Sequence, residues 1–574
     1  MASNSVLLSP QGKSGKTRMV VLSLIAMLAM LLVACGGPGT SATTAPGAKA
    51  PVTINILASP NGAFTAANFN PLVVQSASNL SGNQGMIYET LIFQNRATGE
   101  ITPWLASDYK LADDASSISF TIRQGVKWSD GQPFSADDVM FTLNLLKQYP
   151  ALDSQSLWTN IIKSIATPDA NTIAITFQKP DSTATWAFAQ QFIVSKHAWS
   201  SVSDPTTALD SQPVGTGPYM VKSFTPQVYT LVKNPNYWQA DKIGVDRLRY
   251  LSTNDNTAAQ LLISQGQIDW AGVGWDPKYD AAYTQKDPTH YHHWFPSTNT
   301  VMLYLNLTKP MFSDLNVRKA ISLAIDRDQI HQTAAVYANP ANPSAILPSN
   351  KDWIASEYQS AQFKLDQATA RQLLQQAGWT PGPDGILTKG GQKFSFTMIV
   401  PNGWNDWVSS LQVISSNLKA VGIDAKVNAL ASPEVYTGNR DAGNYDAAIS
   451  WTNAGPTPIF FLQAFLQGSN TWDTATKKTA TGTNWEHWKD PATDTLINQY
   501  LATADPTAQK QAIAGLEKII VDQLPSIPLD YNVGWFEYTT THVTGWPDDS
   551  NPYDYGSPFN APDNEFVILH LKAA

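Results

Sequence analysis

A chain of 574 residues with a single cysteine has no disulfide to lean on, so it must fold by burying apolar surface. The position of that cysteine narrows matters further. Cys35 follows directly on Met19 to Val33, a 15-residue apolar run preceded by Lys13, Lys16 and Arg18. The run is short of the roughly 20 residues that cross a bilayer, and the order of basic segment, apolar run and small residue marks residues 1–34 as a secretory leader. Whatever folds lies beyond it and outside the cytoplasm.

Leu32-Val33-Ala34-Cys35 resembles the end of a bacterial lipoprotein leader, which implies cleavage before Cys35, lipidation of its thiol and a membrane-anchored mature chain, periplasmic or at the cell surface. Residues 35–51 are a tether: Gly36 to Pro51 consists of Gly, Pro, Ala, Ser and Thr with one charge and has nothing with which to build a core. Of 37 basic residues three go with the leader, leaving 34 against 46 acidic ones. Nucleic acid, which needs a basic stripe, is excluded as a partner. With Cys35 acylated no thiol remains for a metal site or a cysteine nucleophile, and roughly 520 residues supply ample core for two or three lobes, expected as a monomer.

Strand and helix signals alternate irregularly, which argues for several α/β lobes over one barrel. Ile118, Phe120 and Ile122 alternate as a half-buried strand, as do Ile173, Ile175 and Phe177, and later Phe394, Phe396, Met398 and Val400. Ser135-Ala136-Asp137-Asp138 is a capping box for a helix that buries Val139, Leu143 and Leu146. Val317, Ala320, Ile321, Ala324 and Ile325 repeat helical spacing, and Asp366 and Gly378 read as the cap and stop of the helix carrying Leu373 and Leu374. Arg318 and Asp326, eight apart on one expected helix, suggest an exposed or interlobe ion pair.

Six blocks then fall in a recognisable order. Ile122 to Val139 (IRQGVKWSDGQPFSADDV) is followed by Val214 to Tyr219, Lys233 to Trp238, Gln265 to Asp269, Phe312 to Arg327, and Leu373 to Trp379 with Tyr445-Asp446 beyond. Together they resemble the peptide/nickel class, family 5, of extracytoplasmic solute-binding proteins of ABC importers. The resemblance implies an α/β, two-lobed periplasmic-binding-protein-like fold (type II, cluster C) with an extra domain on the N-terminal lobe and a hinge-closing cleft that delivers its ligand to a membrane permease. On that pattern residues 52–90, 186–300 and 527–574 form lobe I, 91–185 the extra domain, and 301–526 lobe II. Neither an enzyme nor a cofactor is implied. Asp130-Gly131 and the Gly215-Thr216-Gly217-Pro218 stretch also have plain backbone duties in turns, so these blocks identify a fold more than a site.

The ligand stays open between an oligopeptide and a short oligosaccharide. Peptide binders of this class place an aspartate a few residues after the Tyr-Asp strand, where it pairs with the peptide's amino terminus. Here Tyr445-Asp446 leads into Trp451-Thr452-Asn453-Ala454-Gly455 with no acid until Asp473, which suggests a neutral site with Asn453 as polar anchor. Nineteen tryptophans point the same way, since flat rings suit sugar faces, although they also fill cores and suit peptide side chains. Trp451 stands on the family's site segment, and Trp404, Trp407, Trp535 and Tyr531 are the further candidate ligand contacts. Lys147-Gln148-Tyr149-Pro150 is similar to the sugar-binding branch, including binders of cello-oligosaccharides.

Other chemistries find little support. His290, His292 and His293 invite a nickel or metal-chelate reading, but adjacent strand residues point to opposite faces and no acidic cluster joins them, so they read as surface residues. Gly12 to Thr17 imitates the end of a phosphate loop within the leader, with Pro10 where the first glycine belongs. A secreted glycan hydrolase would want tryptophans and two facing carboxylates, yet no motif singles out a pair.

Overall fold

The computed structural model describes residues 50–57, 63–64, 66–73, 82–253 and 255–574; the leader, Cys35 and nearly all of the tether lie outside the described residues. Pro51–Ala574 forms one compact unit. Its plan follows from where apolar alternation is one-sided and where it is two-sided.

The first lobe is organised by a seven-stranded sheet in the order Tyr291–His293, Glu537–Thr539, Trp270–Ala271, Thr53–Leu57, Arg247–Leu251, Val228–Lys233, Tyr219–Phe224. Thr53–Leu57 runs parallel to both of its neighbours. Beside this sheet stands a four-stranded antiparallel one, Ala106–Leu111, Ser117–Ile122, Thr172–Phe177 and Ile162–Asp169. Ile118, Phe120 and Ile122 join Ile173, Ile175 and Phe177 in a core shared with the first lobe, packed under the Ala136–Gln148 helix. That helix starts on the expected capping box: Ser135 accepts from the Asp137 amide and Asp138 accepts from the Ser135 amide, a cap worth about 1 kcal/mol.

A five-stranded sheet, Asp424–Leu430, Ser395–Pro401, Ala447–Trp451, Ser297–Leu305 and Ile527–Val533, forms the second lobe. It is buried on both sides. Val301, Leu303 and Leu305 enter one core, while Met302 and Tyr304 enter the other, as the two-residue repeat of a strand requires.

Two connections carry the chain between lobes. Tyr291–His293 belongs to the first sheet and Ser297–Leu305 to the second; Ile527–Val533 belongs to the second and Glu537–Thr539 to the first. The connecting segments are tied together where Trp294 donates to the Phe536 carbonyl (2.9 Å) and Gly534 to that of Pro296 (2.8 Å). Ile527–Val533, expected in lobe I, thus pairs in the second sheet because its antiparallel register with Ser297–Leu305 holds it there.

Two glycines of the recognised blocks have work that only glycine can do. Gly131 turns at φ 91°, and a Cβ on Gly215 would lie 1.9 Å from the Ile87 carbonyl oxygen. Asp366 caps the Gln367–Gln376 helix and Gly378 leaves it at φ 85°.

Two expectations are corrected. Arg318 and Asp326 share no helix: Leu315–Ala324 ends before Asp326, which caps Arg327–Thr333 by accepting from the Gln329 amide. Arg318 is buried, and its guanidinium is spent on the carbonyls of Phe312, Ser313, Gln523 and Leu524, which pins the Pro310–Ser313 turn to the end of the Pro506–Gln523 helix. His290 is exposed as expected, whereas His292 and His293 are half-buried. His292 stacks on Tyr538 (5.0 Å) and His293 on Phe295 (4.6 Å), while His290 pairs with Asp287. Burial holds the His293 pKa below its ordinary value.

Candidate binding cleft

Between the two large sheets lies a cavity of about 560 Å³, within the range of small-molecule sites. The second lobe supplies one wall. Gly403, at φ 91°, turns the chain so that Trp404 precedes the Asn405–Ala420 helix and the first turn, Asn405-Asp406-Trp407, lines the cavity. Trp451, last residue of the Ala447–Trp451 strand, stacks on Trp404 with ring centroids 5.3 Å apart and planes 20° apart. Trp407 fits against both, 4.9 Å from Trp404 and 5.1 Å from Trp451. Such pairs contribute about 0.5–1.5 kcal/mol each beyond their burial, so the three rings form a stiff platform. Trp407 is buried, whereas Trp451 keeps 38% of its surface exposed and backs Trp404 without lining the cavity itself.

The first lobe faces this platform with Trp275 and, from the crossing, Trp535. Trp275 is held by its indole N–H on Asp280 Oδ1 (2.7 Å), and Trp535 meets Phe295 (4.8 Å) and Tyr337 (6.1 Å) edge to face. Gln260 is oriented by its own bond to the Gly274 carbonyl (2.5 Å). Among the described residues no Lys, Arg or His lines the cavity.

Three carboxylates do. Asp276 is engaged, capping the Pro277–Ala282 turn and pairing with Lys278 (2.5 Å). Asp406 opens to the cleft's solvent, and the walls that exclude bulk water raise its carboxyl above the ordinary range. Asp530, on the crossing strand, is only 6% exposed. Burial pushes its pKa up to about 7, with Asp406 adding to the rise and Arg327 opposing it.

The sequence-expected site residues thus separate. Trp404, Trp407 and Trp535 line one cavity and Trp451 supports it. Asn453 is exposed on the loop after the strand and is not among the lining residues. Tyr531 faces elsewhere: it is buried, accepts from the Asn342 amide (2.9 Å), donates to the Ile346 carbonyl (2.8 Å), and lines a second cavity of about 480 Å³. The expected neutral site is also corrected, because the cleft's acids come from a helix start and a crossing strand, not from the loop after Trp451. Asp530 carried a signal that went unread, a charge inside the otherwise apolar run Ile527-Pro528-Leu529-Asp530. Among the described residues no three His, Cys, Asp or Glu side chains gather to hold a metal, and no helix is long and apolar enough to cross a membrane.

Two lobes joined by paired crossings around an aromatic cleft define a two-lobed solute-binding protein. A family model described as bacterial extracellular solute-binding proteins, family 5, matches residues 100–473. The chain belongs to that family, whose members are the extracytoplasmic, non-enzymatic binding components of ABC importers, so the hydrolase alternative falls. A periplasmic oligopeptide-binding protein of an oligopeptide ABC transporter from Thermotoga maritima has a similar structure, with a TM-score of 0.79 and 25% identity over 91% of this chain and 99% of that one. The same protein with mannohexaose bound gives 0.71 and 24% over 92% and 99%. Protein XP55 of Streptomyces lividans is 27% identical over 429 residues, 74% of each chain.

Proposed function

We propose that this protein, moored through a lipid on Cys35, captures a short oligosaccharide between its lobes and passes it unaltered to a membrane permease. The carrying observation is the lining of the cleft. Trp275 and Trp535 face Trp404 and Trp407, amides of Asn256, Gln260, Asn405 and Asn532 lie between, and no cationic side chain among the described residues lines the cleft. Sugar rings offer apolar faces to indoles and hydroxyls to amides and carboxylates. A ligand bearing free carboxylates, such as a peptide's C-terminus or a carboxylate chelate, would desolvate that charge with no counter-ion in the cavity. The Thermotoga maritima protein, named for oligopeptide binding, was crystallised with mannohexaose. In this reading lobe I comprises 52–90, 186–300 and the C-terminal segment, the extra domain 91–185, and lobe II the remainder. Closure follows if the ligand binds the closed form more tightly than the open one.

Titration calorimetry of the mature protein against two- to six-residue cello- and manno-oligosaccharides, beside di- to pentapeptides, tests the ligand class. Saturable binding of intact sugar is expected; saturable binding of peptides alone overturns the reading. Metabolic labelling with palmitate tests the anchor, which Cys35→Ser should abolish.

A further inference from the structure

Asp530 is 6% exposed, its carboxylate has no hydrogen-bond partner among the described residues, and its oxygens meet the solvent of the cleft. Only its backbone is engaged, pairing with Val301 and Pro340, and no donor among the described residues reaches its side chain although it faces the cleft. Closure of the lobes on a ligand would strip that solvent, and a carboxylate so enclosed is costly unless something neutralises it.

The charges around it leave a deficit. Asp406 reaches the same cavity from the start of the Asn405–Ala420 helix, close enough to act on Asp530. Arg327 lies behind and also acts on it, but its guanidinium is committed to the Pro528 carbonyl (2.8 Å), the Ser322 carbonyl (3.1 Å) and the Ser322 hydroxyl (3.1 Å). Asp276 is tied to Lys278. Arg327 therefore opposes the rise at Asp530 alone and leaves Asp406 uncompensated, beside indole faces that also attract positive charge.

We propose that Asp530 and Asp406 form a cation-recognising subsite that takes a protonated primary amine on the captured oligomer, and, resting on the oligosaccharide reading, that this ligand is an amino sugar. The raised carboxyl of Asp530 is then a property of the empty cleft: an ammonium in place favours the charged form, and the proton leaves on binding. Neighbouring rings of the same oligomer occupy the tryptophan walls.

The test is calorimetry at neutral pH with matched ligands: the trimer of glucosamine, the trimer of N-acetylglucosamine, cellotriose, triglycine and N-acetyl-triglycine. The amine-bearing member of each scaffold is expected to bind at least tenfold tighter than its acetylated partner. Asp530→Asn, with its melting curve checked, should cut that preference below threefold. Asp406→Asn, at a more accessible position, should weaken it in the same direction and serves if Asp530→Asn fails to fold. Binding enthalpies should vary with the ionisation heat of the buffer for amine ligands only. Equal affinities for amine and acetylated forms, or a preference that survives both substitutions, overturn the subsite. If sugars bind without regard to charge, the oligosaccharide reading stands and the subsite falls. If only triglycine binds, and better than its acetylated form, the subsite stands and the oligosaccharide reading falls.

Discussion

The strand Ile527–Val533 serves two cavities of similar size and opposite character. Asp530 and Asn532 line the cleft, whereas Tyr531 between them lines the cavity behind the second lobe, beside Arg327, Asn342 and Phe363. In the rear cavity the buried polar groups are paired: both hydrogen bonds of the Tyr531 hydroxyl are made, and the Arg327 guanidinium lies 3.7 Å from the Phe363 ring centre with its donors on the Pro528 and Ser322 carbonyls and the Ser322 hydroxyl. In the cleft an equally buried group is left open. Satisfied polarity is what a fold needs, and unsatisfied polarity next to exposed rings is what a ligand needs, so the two faces of one strand separate stability from binding.

The largest test of that separation is Tyr531→Ala. Losing a buried aromatic and leaving the Asn342 amide and Ile346 carbonyl without their partner should cost about 3–5 kcal/mol in denaturant unfolding. Ligand affinity of the protein that remains folded should stay within about threefold, well under 1.4 kcal/mol. A tenfold loss of affinity would show that the rear face takes part in binding.

Next comes the pH dependence set by the open face. Unfolded carboxyls of this kind release their protons near 3.8, whereas Asp530 in the folded chain keeps its proton to about 7. Across that window the folded state binds the extra proton, so stability falls as pH rises, on the order of 1 kcal/mol per unit at the steepest. Glu89, raised by burial to about 7, and Glu537, raised by burial to about 8, act in the same direction. Unfolding at pH 5 and pH 8 should therefore show a loss on going up, and Asp530→Asn should reduce it. An unchanged loss in the variant would mean that the carboxylate is neutralised by something inside the protein.

How much of this was legible in the sequence differs between fold and site for a physical reason. Ser135 with Asp138, Asp366 and the alternating Ile118-Phe120-Ile122 are local signals, complete within a few residues, and each became the element expected. Trp404 and Trp407 were close in sequence, yet their contact with Trp451 depends on neighbouring strands of one sheet. Asp406 and Asp530 come together only through the crossing, so no spacing announces them. Arg318 misled because its helical neighbours said nothing of the Gln523 and Leu524 carbonyls two hundred residues away.

Within the cleft the platform should carry more of the affinity than any rim group. Trp451→Ala removes the ring stacked on Trp404 and is expected to weaken oligosaccharide binding by about 0.5–1.5 kcal/mol, the scale of the ring pair that holds Trp404 in place. Its effect on unfolding should be smaller than that of Trp407→Ala, because Trp451 is 38% exposed and Trp407 6%. An unchanged Kd in titration calorimetry would show that Trp404, Trp407 and Trp535 act without the support of Trp451.

The smallest effect sharpens where the cleft ends. Asn453 is two residues beyond Trp451, exposed, and outside the cavity lining, so in the present arrangement of the lobes it has no burial to lose and nothing in the cavity to hold. Asn453→Ala should move unfolding free energy by no more than about 0.5 kcal/mol, as exposed substitutions do. Affinity should move as little, because a hydrogen bond made in open solvent exchanges one partner for water. A tenfold loss of affinity would instead place the ligand across the loop after Trp451, extend the site from the crossing strand to the mouth of the second lobe, and shift the boundary between satisfied and unsatisfied polarity beyond Ile527–Val533.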